Sequence, residues 1–201
     1  MAAREIISGY WWPAADKECR RVNFGSEADL DIAIKLARGR KLAFQAGGNC
    51  GVWANHLAKL FERVVTAEPD EDNFECLALN KRENVTALQY ALGDRPSMVG
   101  LERDASNIGA HFVKGEGVIP QITIDSLSLP ACDLLSLDIE GMESHALDGA
   151  RETIAKFKPV LIIEDKGLSE QYGVPKGWTE GIEGYRVTHR VHRDVILVPS
   201  D

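Results

Sequence analysis

The stretch Lys41-Leu-Ala-Phe-Gln-Ala-Gly-Gly-Asn-Cys-Gly-Val-Trp53, followed by Val64-Val-Thr-Ala-Glu-Pro-Asp70, decides the fold of this chain. Its pattern predicts a strand over 41–46, a glycine turn, a helix over 51–62, a second strand over 64–68, and a carboxylate at that strand's end. An α/β sheet holds an adenosine with these parts. The glycines let the backbone approach the ligand, and Glu68 can accept from both ribose hydroxyls. A dinucleotide fingerprint, Gly-x-Gly-x-x-Gly, beginning at Gly47 needs glycine at positions 49 and 52, where this chain has Asn49 and Val52. A pyrophosphate requires bare backbone amides at a helix N-terminus. S-adenosyl-L-methionine has no phosphate, so its turn can carry an asparagine, and its sulfonium and amino group favour nearby carboxylates. The turn therefore reads as one for S-adenosyl-L-methionine.

Outward from this unit the alternation of elements continues. Residues 1–25 are expected to form an irregular arm containing Tyr10-Trp11-Trp12-Pro13. Ser26-x-x-Asp29 resembles a capping box, and Leu30, Ala33, Ile34 and Ala37 make a helical stripe to about Arg38. A helix begins near Asp70 with Phe74, Leu77 and Ala78 on one face, and a strand follows at about 85–91. The segment 95–130 breaks the rhythm. Its short β-like pieces at 97–102, 109–113 and 121–124 predict an inserted antiparallel flap. Asp133-Leu-Leu-Ser-Leu-Asp138 is a buried strand ending in an acid. A helix over 141–157 turns Ala146, Leu147, Ala150 and Ile154 inward, and Val160-Leu-Ile-Ile-Glu164 is another strand ending in an acid. A short helix is expected near 175–182, and strands 185–190 and 194–198 close a hairpin around His192-Arg-Asp. Alternating units of this kind give a mostly parallel sheet with helices on both faces. Ligands bind such sheets at the carboxyl ends of the strands, where strand order reverses. Gln45, Glu68, Asp138 and Glu164 should therefore meet in one crevice.

The bulk numbers narrow the function class. The chain has 201 residues, enough for one domain with an ample core. The expected organisation is an arm or substrate lid over 1–25 and a single domain over 26–201. A net charge of −8 makes duplex nucleic acid and anionic membrane poor partners. Cysteines 19, 50, 76 and 132 lack metal-binding spacing, which fits reduced thiols in a cytoplasmic protein. The N-terminus has no apolar signal core, and no run approaches a membrane span.

These residues also resemble a known family, the FkbM-type S-adenosylmethionine-dependent methyltransferases, over roughly residues 40–200. The family's acid-x-Gly-Ala-Asn-x-Gly turn appears as Gln45-Ala-Gly-Gly-Asn-Cys-Gly51, and its Glu-Pro pair as Glu68-Pro69. Ala91-Leu-Gly93, Asn107-Ile-Gly109 and Thr123-Ile-Asp125 match further elements. The most specific pieces are Leu137-Asp-Ile-Glu-Gly-Met-Glu143, Leu147-Asp-Gly-Ala150 and Pro159-Val-Leu-Ile-Ile-Glu-Asp-Lys166. The resemblance implies a Rossmann-like class I methyltransferase fold. That fold is a mostly parallel seven-stranded sheet with a C-terminal antiparallel hairpin and a small β flap insertion. It also implies cofactor contacts at Gln45, Gly47, Asn49, Gly51, Trp53, Glu68, Pro69, Asn73, Ala91, Leu92 and Asp138. Two positions depart from the family pattern. Gln45 replaces an acid that helps hold the cofactor's amino acid moiety, so it supplies no charge. Gly48 replaces an alanine and loosens the turn.

Methyl transfer from a sulfonium is an in-line displacement, which the protein orients and shields from water. An alcohol nucleophile also needs a proton acceptor within hydrogen-bond reach. Asp138, Glu140, Glu164 and His111 are the catalytic candidates. Asp138 has the alternative of capping the following helix, Glu164 of pairing with Lys166, and His111 of being a surface histidine. For Glu143 the structural role is favoured. His189 and His192, with Arg190 and Arg193, read as solvated hairpin positions. Trp12, Asn107 and Lys166 are candidate substrate contacts, and Trp11, Trp12 and Trp53 could form an aromatic wall. For the two N-terminal tryptophans, an arm packed on the core is the favoured alternative. Asp138, Glu140 and Glu164 could hold a divalent cation, but nothing in the sequence requires a metal, and none is assigned. The expected activity is O-methylation of a sugar or other small molecule, in a protein able to form a homo-oligomer. The alternatives are a non-catalytic S-adenosylmethionine or nucleoside sensor and a nicotinamide-dependent oxidoreductase.

Overall fold

The computed structural model describes residues 3–23, 27–104 and 106–200. The chain opens on an antiparallel hairpin, β1 (Arg4–Ile7) and β2 (Tyr10–Pro13). The helices α1 (Cys19–Asn23) and α2 (Glu27–Leu36) follow. The arm is therefore ordered, contrary to the sequence expectation. Trp12 is fully buried, and its indole Nε1 donates to Asp16 Oδ2 at 2.7 Å. That carboxylate also accepts from the Cys19 and Arg20 amides and from the distant Ile108 amide. Side-chain bonds of this range carry no periodicity and cannot be seen in a pattern. Ser26, half of the expected capping box, lies outside the described residues.

The central run is β3 (Leu42–Ala46), α3 (Val52–Leu57), β4 (Arg63–Ala67), α4 (Glu71–Asn80) and β5 (Val85–Leu88). α3 stops well short of residue 62. The chain tightens into three-residue turns at Lys59 and Leu60, and the Asn84 amide takes the carbonyls of Ala58 and Phe61. α4 begins next to Asp70 as expected, and Asp70 caps it by accepting from the Asp72 and Asn73 amides. The buried face of α4 holds Asn73, Cys76 and Leu77 with Phe74 partly buried, while Ala78 is exposed.

The flap begins earlier than expected, because the chain leaves the main sheet at Leu88. Its strands are β6 (Ala91–Leu92), β7 (Ser97–Val99), β8 (Leu101–Glu102), β9 (Phe112–Val113) and β10 (Ile119–Ile122). β10 pairs parallel to β6 and antiparallel to β7, and β8 pairs antiparallel to β9. β11 (Leu134–Leu137) returns to the sheet, and the helix expected over 141–157 is two, α5 (Glu143–Asp148) and α6 (Arg151–Phe157). The break is enforced from the flap side. The Asp125 amide donates to the Gly149 carbonyl, and the Asp125 carboxylate caps α6 through the Glu152 and Thr153 amides. β12 (Val160–Glu164), β13 (Tyr185–Val191) and β14 (Asp194–Pro199) complete the chain. The short helix expected near 175–182 is a 3₁₀ helix, Trp178–Gly181, preceded by another at Leu168–Tyr172.

The seven-stranded sheet runs β13-β14-β12-β11-β3-β4-β5, with β14 antiparallel to both neighbours and the other pairings parallel. Its inner strands are apolar on both faces. Val160 and Ile162 pack with Leu30, Leu57 and Leu77 on one side, and Leu161 and Ile163 with Phe44, Leu135 and Ala146 on the other. Strand order reverses between β3 and β11, which places the ligand crevice beyond their carboxyl ends. This is the Rossmann-like class I methyltransferase architecture. No helix among the described residues is long and apolar enough to cross a membrane.

Candidate active site

A cavity of about 870 Å³ opens at that reversal. Gln45, Glu68, Asp138 and Glu164 all line it, as the strand ends predict. So do the expected cofactor positions Gly47, Asn49, Trp53, Pro69, Ala91 and Leu92, and the candidates Asn107, His111, Glu140 and Lys166.

The glycine turn is rigidly built. Gly47 has φ +86°, and a Cβ there would overlap the Asp138 carbonyl oxygen of the neighbouring strand end. Gly47 and Gly48 amides both donate to the Ala67 carbonyl, and Gly51 to the Gly48 carbonyl. The Asn49 amide donates to Glu68 Oε2 at 2.7 Å, and the Cys50 amide to the Asn49 side chain at 2.7 Å. All five amides from 47 to 51 are thus engaged within the protein. A phosphate-binding turn presents such amides to its ligand, and this one has none to offer. The Gln45 amide group spans the base of the turn. It donates to the Gly47 carbonyl and accepts from the Thr66 hydroxyl, both at 3.0 Å. Gln45 is therefore a neutral brace, and Asp138 is the carboxylate at the adjacent strand end.

Glu68 is buried, yet its two oxygens accept only the Asn49 and Asp70 amides among the described residues. A carboxylate has about four acceptor positions, so two remain for a ribose. Burial pushes the Glu68 carboxyl up to about 7, against the pull of those two amides. Residues with glycine freedom, an adenosine-sized cavity and an acceptor at the second strand end fit a phosphate-free adenosine cofactor.

A second group gathers at the ends of β11 and β12. Carboxylate oxygens of Asp138, Glu140 and Glu164 lie within 4.8 Å of one another. Lys166 Nζ reaches Glu140 at 2.8 Å and Glu164 at 2.7 Å. Burial, with Glu140 adding, pushes Asp138 up to about 7. Burial, with Asp138 adding, pushes Glu164 up to about 8. Against burial, Glu164 and Glu140 hold the Lys166 ammonium above its ordinary value. A cation thus already sits among these acids, as a side chain. Glu143 lies apart from this work. Its Oε1 accepts the Ile139 and Gly141 amides, which fixes the loop carrying Glu140 in a left-handed conformation at φ +57°.

His111 lies against Asp70 and the flap. Its Nδ1 lies 3.3 Å from Asp70 Oδ2, and its Nε2 lies 3.2 Å from the Asp104 carbonyl. Burial opposes its charged form, but the Asp70 carboxylate prevails and raises its pKa. Three expected contacts do not line the cavity. Trp12, on β2 of the arm, is buried in the core, so the aromatic wall does not form. Asn73 is buried and donates to the Ile108 carbonyl at 3.0 Å, holding the flap. Gly51, with φ +91°, abuts Leu77 at the start of α3. Lining residues that sequence reasoning passed over include Arg21, Asp29, His192 and Asp194. Asp29 reads only as a cap and His192 only as a turn, because their convergence spans 163 residues.

Residues 45–183 match the model of the methyltransferase FkbM domain. The chain belongs to this family. Among solved structures, the FkbM methyltransferase of Methylobacillus flagellatus KT is similar at 22% identity and a TM-score of 0.55, over 83% of this chain. The chain spans 45% of the length of that FkbM structure. The precorrin 8w decarboxylase of Methanobacterium thermoautotrophicum is similar at 12% identity and a TM-score of 0.51, covering 88% of this chain and 90% of its own. These likenesses show the shared fold. No curated protein matches the chain. In this FkbM domain, the matched segment begins at Gln45 and contains both groups of cavity residues.

Proposed function

We propose that the chain is an S-adenosyl-L-methionine-dependent methyltransferase acting on a hydroxyl of a sugar or other small molecule. The observation that carries this reading is the turn whose five amides are all engaged, beside an acceptor-rich Glu68. It suits an adenosine without phosphates and disfavours a dinucleotide. Membership of the FkbM methyltransferase domain family supports it independently. The bound cofactor supplies an activated methyl group. Glu68 accepts from the ribose, Gln45 and Gly47 shape the turn around the amino acid moiety, and Trp53 walls the cavity. Asp138 and Glu164 line the cavity as polar strand-end groups that can face the sulfonium and amino group. A volume of about 870 Å³ lies in the upper part of the range for small-molecule sites, about 300–1,000 Å³, leaving room for a small acceptor. Four buried cysteines outside any disulfide and a net charge of −8 suit a cytoplasmic enzyme that keeps away from duplex nucleic acid and membranes.

Calorimetric titration with S-adenosylhomocysteine, with NAD as the control ligand, tests this reading. Binding of S-adenosylhomocysteine alone is the expected result. Binding of NAD alone, or of neither, overturns it.

A further inference from the structure

We propose that His192, oriented by Asp29, accepts the proton of the acceptor hydroxyl; the assignment rests on the methyl-transfer reading above. Asp29, on α2, is 7% exposed, and its Oδ2 lies 2.8 Å from His192 Nδ1. The imidazole stands at the tip of the β13–β14 hairpin, and both residues line the cavity. A buried carboxylate on one ring nitrogen fixes the tautomer and leaves the other nitrogen as the proton acceptor. Nε2 of His192 has no partner among the described residues, and the side chain is 80% exposed, so a proton taken there can pass to water.

Position favours this histidine over His111. Asp194, two residues on, pairs in register with Glu164, which places the hairpin tip beside the Asp138–Glu164 group. The Asp194 carboxyl responds to Glu164, Asp29, His192 and Lys166 together, so these charges share one neighbourhood. His111 is committed elsewhere: its Nε2 meets the Asp104 carbonyl, and its Nδ1 is buried against Asp70 Oδ2 at 3.3 Å. His192 also adopts φ +51°.

The step balances without a further reactant. The acceptor oxygen forms its bond to the methyl carbon as the sulfur–carbon bond breaks, and that bond's electron pair stays on sulfur. The hydroxyl proton moves to His192 Nε2. Asp29 offsets the positive charge that develops on the ring, and the proton leaves to solvent. Asp29 acts through His192 and is a positioning residue.

The test combines transfer and spectroscopy. Labelled S-adenosylmethionine is incubated with the full chain and the low-molecular-weight fraction of the source cells, supplemented with methyl glycosides. His192→Asn, whose new side chain tolerates the turn, should lower label transfer by about 10²–10⁴-fold with S-adenosylhomocysteine affinity retained. Long-range proton–nitrogen NMR should show His192 protonated at Nδ1 and bare at Nε2, and Asp29→Asn should convert it to the Nε2–H form. Unchanged transfer in His192→Asn, or a His192 tautomer indifferent to Asp29→Asn, overturns the assignment while leaving the methyltransferase reading intact. A wild-type chain that neither transfers label nor binds S-adenosylhomocysteine overturns that reading itself.

Discussion

Glu68 Oε2 accepts the backbone amide of Asn49 at 2.7 Å, so the acid at the end of β4 and the turn after β3 form one unit. The carboxylate that awaits the ribose also sets the shape of the turn. Glu68→Ala should therefore weaken S-adenosylhomocysteine binding by about 1–3 kcal/mol, the range for a lost bond to a charged group. Calorimetry measures it, and an unchanged affinity would remove Glu68 from the ligand's contacts.

Lys166 bridges Glu140 and Glu164, and its removal leaves two partly buried carboxylates facing each other. Lys166→Met should destabilise the fold by about 3–5 kcal/mol, as breaking a buried pair does. Partial solvent access puts the expected value at the lower end. Adding Glu164→Gln should recover most of the loss, because it removes one of the orphaned charges. Thermal denaturation of the single and double variants gives the comparison, and a double variant no better than the single would exclude this charge account.

The raised carboxyls impose a pH dependence with a definite sign. Glu68, Asp138 and Glu143 are pushed up to about 7 and Glu164 to about 8, chiefly by burial. The corresponding unfolded values lie near 4. Between those limits the native state binds more protons than the unfolded state, so stability falls as pH rises. With respect to these groups, the expected melting temperature declines from about pH 4 through pH 8 and then levels off. Glu164→Gln should flatten the upper part of that decline. A melting temperature that climbs from pH 5 to 8 would contradict the assignment of these shifts.

Asp138→Asn should reduce methyl transfer by about 10²-fold or more while moving the melting temperature little. The amide keeps the shape, and much of the Asp138 population already carries a proton near neutral pH. Transfer of label from S-adenosylmethionine, set beside a thermal melt, separates the two effects. Collapse of folding with residual activity intact would assign Asp138 a structural role.

The N-terminal arm should behave as core. Trp12 is fully buried and bonded to Asp16, so Trp12→Ala should cost about 3–5 kcal/mol of stability. S-adenosylhomocysteine affinity at a temperature where the variant is folded should stay near that of the parent chain. A stable variant with impaired ligand binding would instead make the arm a lid.

The order of strands and helices, the two-sided burial of the inner strands, and the meeting of Gln45, Glu68, Asp138 and Glu164 were all legible in the sequence. Each rests on short-range periodicity and on a connection rule that brings parallel strand ends to one edge. Tertiary structure alone decided the rest. The 141–157 helix is split by Asp125, which comes from the far end of the flap. Buried Trp12 is bonded to Asp16, which also gathers α1 and the flap around one carboxylate. Gln45 looks like a lost charge in the chain, but its partners show a brace between Gly47 and Thr66. His111 is held against Asp70, and His192 is joined to Asp29. A side chain's hydrogen-bond partners depend on which distant segments pack beside it. Local sequence records the period of an element and leaves no trace of that packing.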